Sequence, residues 1–290
     1  MKQKEEFVIS GFHCVRIVPV RAGMSSDGKY DVTLTDGRRC MLRISPDNQF
    51  ERKKAEYGML ETAWRYGIPV SCPYEFGRTV DGKIYQLTQW LEGRSLEEEL
   101  AESGETEKYA WGERAGRLLR KIHAIPMNNP AEAWNERFRR KIEIRMAEAE
   151  AEMDPPEYMK RLCQYLLEKI AILEECGQCF NHGDFYPGNL MHLTDGSLAV
   201  IDFNAYNSGY GDPVFETTSI LLDRHTDNQF KAGFRAGYYG KETDKRTEQL
   251  LEYYQAYILL AELCETDDEN ERNDILGRMH ELMDKTMMKH

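Results

Sequence analysis

After a charged opening stretch the chain runs into short segments where apolar and polar residues alternate. Val15 to Val20 is rich in β-formers, Tyr30 to Thr35 alternates, and Asp36-Gly37 turns the chain back into Arg39 to Ile44. In the third segment Cys40, Leu42 and Ile44 fall on one face, and Met41 and Arg43 on the other, as the two-residue period of a strand requires. The period then changes. From Gln49 to Tyr66, Ala55, Met59 and Ala63 recur four apart while Leu60 and Trp64 widen the stripe, which predicts an amphipathic helix. Ile84 to Leu91 reads as a further strand, followed by a helix capped by Ser95. Beyond it helical periodicity predominates: Trp111 to Ile125 stopped by Pro126, Ala131 to Met153, Glu157 to Glu175, and helices near 214–239, 244–264 and 269–288. The dense Glu and Arg pattern of residues 131–175 marks solvated helix faces with i,i+4 pairs. A chain of 290 residues with strands first and helices afterwards predicts an α+β fold in two parts, 1–91 and 92–290.

One stretch, Cys179 to Phe203, interrupts the helices. Leu190–Leu193 and Leu198–Phe203 are apolar runs flanking Thr194-Asp195-Gly196-Ser197, a hairpin signature. With Asp195-Gly196 as a two-residue loop, Asn189 falls opposite Asp202, their Cβ atoms about 5 Å apart. An amide and a carboxylate side by side, with Asp184 upstream, make a ligand set for a hard cation such as Mg2+. The run Asp184-Phe-Tyr-Pro-Gly-Asn189 also has the D-x-x-x-x-N spacing of a protein-kinase catalytic loop. There the Asp accepts the acceptor hydroxyl's proton, and the Asn and a later Asp hold the ions that bridge the nucleotide phosphates. Ile201-Asp202-Phe203 supplies the later acid. His182, by itself, reads as a hydrogen bonder that organises the loop.

Composition narrows the field. Hydrophobic residues make up 41% and charged residues 30%, ordinary for a globular protein with a sizeable core. The net charge of −12 argues against a duplex nucleic-acid partner and is favourable to a cationic substrate. No apolar run reaches membrane-spanning length, and the first residues lack a signal-type core, so the expected compartment is the cytosol. Seven scattered cysteines read as reduced thiols. Cys176 and Cys179 have redox-motif spacing but close a helix instead of opening one, and a zinc site there would lack a fourth ligand.

HGD at 182–184, Asn189, IDF at 201–203 and the Gly211-Asp212-Pro213 triplet together resemble the aminoglycoside phosphotransferase family. Three positions differ from kinase patterns: Gly183 replaces the Arg of His-Arg-Asp, Asn204 follows Phe203, and Tyr186 stands where many family members carry a second His. The resemblance implies a bilobal protein-kinase-like fold, with an N-lobe antiparallel sheet plus one helix and a larger, mostly helical C-lobe. It implies ATP or GTP as phosphoryl donor, Mg2+ as cofactor, and a small-molecule hydroxyl as acceptor. The loop from Arg21 to Lys29, with Ser25 and Ser26 between two glycines, resembles the family's nucleotide-covering loop; alone it would be a plain turn. Arg43 stands where the kinase pattern wants a phosphate-binding Lys, and Glu56 is its natural partner from the following helix. A surface arginine, and an i,i−4 pair of Glu56 with Arg52, stay open as alternatives. By resemblance Gln89, Trp90 and Leu91 form the hinge that contacts the nucleobase. The expected acceptor is polar and cationic, an aminoglycoside or amino sugar, with antibiotic resistance as the corresponding role. Acids in the closing helices, Glu262, Glu265, Asp267, Asp268 and Glu269, point the same way. Macrolide, choline, homoserine and sugar acceptors remain alternatives, as does a nucleotide-binding module without turnover.

Overall fold

Alternation in the first ninety residues resolves into one antiparallel sheet. The computed structural model describes residues 13–21, 27–127, 132–152, 155–205 and 209–287. Its first part contains β1 (Cys14–Pro19), β2 (Gly28–Leu34), β3 (Arg39–Ser45), α1 (Phe50–Arg65), β4 (Pro73–Arg78) and β5 (Ile84–Gln89), with the five strands ordered β1-β2-β3-β5-β4. Val32, Leu34, Cys40, Leu42, Ile44, Tyr85 and Leu87 form the core on one face. The two-residue period therefore sends Lys29, Asp31, Arg39, Met41 and Arg43 to the other face, with Lys29 directly opposite Arg43 in the β2–β3 register. Strand β4 has no alternation to announce it. It begins with Pro73 and lies at the sheet edge, where a missing N–H costs no ladder bond. Strand β5 stops at Gln89, so Trp90 and Leu91 belong to the connection into the second part.

That second part comprises β6 (Gly93–Ser95), α2 (Leu96–Glu102), α3 (Glu105–His123), α4 (Trp134–Glu152), α5 (Glu157–Glu168), β7 (Cys179–Phe180), β8 (Leu190–Leu193), β9 (Leu198–Val200), β10 (Tyr210–Gly211), α6 (Pro213–Leu222), α7 (Asn228–Tyr239), α8 (Lys245–Glu265) and α9 (Glu269–Met287). The order β6-β8-β9 joins the strand after the connection to the hairpin, and Thr194 N–H donates to Glu92 C=O at 3.0 Å. Two helices are shorter than periodicity predicts. The segment 214–239 breaks because Asp223 accepts from His225 N–H (3.1 Å) and Asp227 from Gln229 N–H (2.8 Å), offering the backbone turns in place of helix. The segment 157–175 leaves the α-helix after Glu168 and continues as a tight turn over Ile170–Leu173. Among the described residues no helix is long and apolar enough to cross a membrane.

A core of Leu190, Leu198, Val200 and Phe203 from the hairpin, Leu119 and Ile122 from α3, and Phe230 and Phe234 from α7 also takes in Met59 and Ala63 of α1. The two parts thus share buried apolar surface beneath the hairpin. Helices α3 and α7 approach backbone to backbone through paired glycines, Gly112 and Gly116 on one and Gly233 and Gly237 on the other. A Cβ at Gly233 would run into the Tyr109 carbonyl, and one at Gly116 into that of Phe234. We expect Gly233→Ala to push the helices apart and cost about 1–3 kcal/mol, read as a lower urea midpoint. Gly277→Ala, in α9 with nothing within 4 Å of the new Cβ, should instead leave the midpoint unchanged or raise it by up to about 1 kcal/mol.

Candidate active site

The loop between β7 and β8 is built around His182, which is fully buried. Its Nε2 donates to Ile201 C=O (2.8 Å) and its Nδ1 accepts from Asp184 N–H (3.3 Å), an arrangement that needs a neutral ring. Burial pushes the ring's pKa down, although Glu216 and the Ile201 carbonyl pull the other way. Next to it Gly183 has φ +87°, and a Cβ there would strike the Asn204 carbonyl oxygen. An arginine at this position is excluded for both reasons, which explains why the loop reads His-Gly-Asp.

Asp184 is exposed. Asn189, itself 6% exposed, donates through Nδ2 to the Asp184 backbone carbonyl (2.8 Å) and to its Oδ2 (2.9 Å), fixing the carboxylate. Surrounding protein raises the Asp184 pKa above the usual carboxylate value; His182 and the Asn189 bond oppose this, while Asp202 and Glu216 add to it. The hairpin register differs from expectation by one residue. Leu190 pairs with Val200 and His192 with Leu198, so Asn189 aligns with Ile201, whose N–H donates to Asn189 C=O at 3.0 Å. The cause is a three-residue loop, Thr194-Asp195-Gly196, in which Gly196 takes φ +81° and Gly196 N–H donates to Leu193 C=O. Asp202 is instead turned by its own backbone. Its φ of +60° is the one positive value at a non-glycine residue among those described, a strained conformation of the kind that collects at functional sites.

Asp202 forms an ion pair with Arg43 of β3. This corrects the expected Arg43–Glu56 pair. Glu56 is taken by Lys53, one turn earlier on its own helix, at 3.3 Å, and lies 3.8 Å from Arg52. Lys53 is 7% exposed and also meets Asp27 at 2.7 Å, while Asp27 accepts from Ser45 Oγ at 2.7 Å. Ser25 and Ser26 lie outside the described residues. At the connection, Trp90 N–H donates to Arg39 C=O (3.1 Å) and the Arg39 guanidinium lies 4.4 Å over the Trp90 ring. Gln89 closes β5 beside it, and Leu91 is half-buried.

Sequence reasoning missed the group that holds the loop from behind. Glu216, in the first turn of α6, is buried; its Oε1 accepts from Gly183 N–H (2.6 Å) and its Oε2 from His182 N–H (3.2 Å). His123 of α3 meets Oε2 through Nε2 (2.7 Å), and its Nδ1 lies 2.7 Å from the Tyr238 hydroxyl of α7. The glycine-packed helix pair brings His123 and Tyr238 together. Burial pushes the Glu216 pKa up, but the His123 bond and charge, His182 and the Gly183 N–H outweigh it and hold the carboxyl below its usual range. A legible signal existed: a lone acid in the apolar run Val214 to Leu222 needs a buried partner. The Gly211-Asp212-Pro213 triplet is a strand end, an N-cap and a helix start, with Asp212 accepting from Val214 N–H (2.8 Å) and Tyr254 OH (2.7 Å).

Other expectations resolve differently. Glu262 pairs with Arg278 (3.1 Å), Glu265 with Arg145, and Asp268 accepts from Glu271 N–H (2.9 Å) at the start of α9; Asp267 and Glu269 lie exposed in the same turn. The acids nearer the loop are Glu97 and Asp223, which with Asp184 and Asp202 raise the Tyr186 phenol beyond the effect of its burial. The thiol of Cys176 is pushed up to about 12, first by burial, and that of Cys179 higher still, so both are protonated and unreactive near neutral pH.

An antiparallel sheet with one helix, a short connection and a helical part carrying an anchored Asp-Asn loop defines a protein-kinase-like enzyme fold. The chain belongs to the phosphotransferase enzyme family, whose model matches residues 16–257. Solved structures share the fold at low identity. A thermostable mutant of aminoglycoside phosphotransferase APH(4)-Ia is 17% identical, with 94% of this chain and 95% of that one covered and a TM-score of 0.67. A choline/ethanolamine kinase family protein from Mesorhizobium loti is 14% identical over 92% and 88%, with a TM-score of 0.62. The amicoumacin kinase hAmiN, in complex with AMP-PNP and Ca2+, is 17% identical over 93% and 88%, with a TM-score of 0.58. No curated protein matches the chain.

Because the Glu216 pKa lies below its unfolded value of about 4.3, its stabilising effect is present above that pH and is lost as pH falls through the folded-state value. Glu216→Gln leaves at least one loop N–H facing an NH2 group and should cost about 3 kcal/mol at pH 7. The gap between wild type and variant in thermal midpoint should narrow as pH falls below about 4; a pH-independent gap would remove the carboxylate from this role.

Proposed function

We propose that the protein transfers the γ-phosphoryl group of ATP or GTP to a hydroxyl of a small polar molecule. The observation that carries this reading is the anchored pair Asp184–Asn189 beside an Asp202 turned by left-handed backbone toward Arg43. Asp184 orients the acceptor hydroxyl and takes its proton. Asn189 spends its Nδ2 on Asp184, and its Oδ1 would be the amide-oxygen ligand. With the Asp202 carboxylate this donor set suits Mg2+, which keeps water and phosphate oxygens for its remaining positions. When bound, the ion would neutralise charge on the phosphates. Arg43 would then direct its guanidinium to the phosphate oxygens, and Gln89 to Leu91 would receive the nucleobase. Ser25 and Ser26 would belong to the nucleotide site by family resemblance, and Asp27, which follows them, is held by Lys53, itself paired with Glu56.

The acceptor in this reading is cationic, an aminoglycoside-like antibiotic or amino sugar. The charges of Glu97 and Asp223, which act on the Tyr186 phenol, support it, as does the net charge of −12. Structures of fold relatives hold hygromycin B with ADP in one case and amicoumacin kinase with AMP-PNP in another, so the fold accommodates such ligands and nucleotides.

Nucleotide consumption measured across aminoglycosides, amino sugars, choline and macrolides tests the reading; nucleotide binding without consumption for any acceptor would favour a non-catalytic module. Asp184→Asn should lower turnover about a hundredfold to ten-thousandfold while Mg-nucleotide affinity stays within a few fold. Asp202→Ala should weaken Mg-dependent nucleotide binding as well, which calorimetry with and without Mg2+ would show. For a cationic acceptor, KM should climb as salt is added, since screening acts over about 8–10 Å; a flat KM would reject the cationic class alone.

A further inference from the structure

The loop that carries Asp184 holds one large side chain that the fold does not use. Along Asp184-Phe185-Tyr186 exposure alternates, with Phe185 buried between two exposed residues. Phe185 turns into the core, its ring centroid 5.7 Å from that of His182 and 6.3 Å from that of Phe234. Tyr186 has extended backbone, with φ −153° and ψ 169°. Neighbouring side chains of an extended chain leave on opposite sides, so Tyr186 leaves on the side of Asp184. The residue is 36% exposed, yet its ring has a defined seat against Gly188, where a Cβ would collide with Cε2, Cζ and the hydroxyl oxygen. Tyr186 belongs to none of the buried clusters. Among the described residues its hydroxyl makes no hydrogen bond, and its ring meets no other ring and no cation. A ring left open on a loop that a rigid scaffold positions is placed for binding.

The electrostatic setting selects what that ring can hold. Burial first, then the charges of Asp184, Glu97, Asp202 and Asp223, disfavour the ionised phenol, which keeps the ring neutral. Asp202 is answered by Arg43, but Glu97 and Asp223 form no ion pair among the described residues. An anion would be repelled there, and a neutral group would gain nothing from the field. A cation gains from the carboxylates and again from the electron-rich ring face, which attracts an ammonium group within about 6 Å of its centroid. We propose that Tyr186 is an acceptor-specificity residue, its ring face receiving the ammonium group of the acceptor while Asp184 orients the hydroxyl. The inference rests on the phosphotransferase reading and adds to it the side chain that reads the acceptor's charge. Tyr186 is also where the loop departs from the family pattern, which has His in many members. A phenol brings no positive charge of its own, so the acceptor supplies it.

The test separates ring from hydroxyl and charge from shape. Steady-state transfer from ATP and from GTP is measured for wild type, Tyr186→Phe and Tyr186→Leu on paired acceptors: glucosamine and glucose, choline and its uncharged carbon isostere, kanamycin and its fully N-acetylated form. Mg-nucleotide affinity is measured by calorimetry on the same proteins. For the cationic acceptor that wild type uses best, Tyr186→Leu should raise KM about fivefold to thirtyfold. Its kcat and Mg-nucleotide Kd should stay within about twofold, since the lost contact is one of acceptor binding alone. Tyr186→Phe keeps the ring and should hold KM within about twofold. An unchanged KM in Tyr186→Leu would overturn the inference, as would an equal rise for the neutral counterpart or a Phe variant as impaired as the Leu variant. Mg-nucleotide affinity that falls in step with acceptor affinity would mark Tyr186 as structural. Wild type that prefers the neutral member of its best pair would overturn the inference and leave the phosphotransferase reading standing. Wild type that transfers phosphate to none of the acceptors would instead overturn that reading.

Discussion

A carboxylate without water must be surrounded by donors, and Glu216 meets that requirement with the backbone of the loop itself. His182 N–H, Gly183 N–H and the His123 ring all point at its two oxygens. Removing any of them would strand a buried charge, so the loop, α3 and α6 are held in one arrangement. The close approach of α3 and α7 through facing glycines is what lets Tyr238 complete the set from α7. Asp184 inherits its position from this anchor, one residue beyond the bonded Gly183. The local cost of the site, a left-handed Asp202 and a kinked Gly183, is tolerated because buried contacts on both sides over-determine it: Phe203 packs against His182 with ring centroids 4.6 Å apart, and Asn204 N–H donates to His182 C=O at 2.9 Å.

Much of this was legible in the residues. Alternation and four-residue spacing located most strands and helices, and chemistry and spacing singled out Asp184, Asn189 and Asp202, of which Asn189 is bonded to Asp184. What the pattern could not resolve was whether a turn containing Asp-Gly spans two or three residues. That one-residue difference moved the register, and backbone geometry at Asp202, invisible in sequence, re-aimed the carboxylate. The Arg43–Glu56 expectation failed for a local reason. Lys53, itself buried, sits three positions before Glu56 on the same helix, so the nearer cation wins. His123, Tyr238 and Glu216 come from three helices far apart in the chain, and only their meeting gives them meaning. The i,i+4 glycines of α3 and α7 and the lone acid in the apolar start of α6 were available as signals.

The charges divide by location. Exposed pairs such as Arg161–Glu157, 3.4 Å apart along α5, contribute about 0.5 kcal/mol or less each. Of the acids of the α8–α9 region, Glu262 and Glu265 sit in ion pairs and Asp268 caps α9, while Asp267 and Glu269 are exposed. The groups that bear on chemistry are those with restricted access to water, Lys53 with Asp27, Arg43 with Asp202, and Glu216 with His123.

The buried Glu216 carboxylate sets the geometry of the loop that carries Asp184. Single-turnover transfer by Glu216→Gln, at a temperature where the variant is folded and with saturating Mg-nucleotide and acceptor, tests it most directly. The account predicts a transfer rate reduced at least tenfold with nucleotide affinity close to wild type, because Asp184 loses its anchor while the nucleotide site is untouched. A wild-type transfer rate in the folded variant would contradict it.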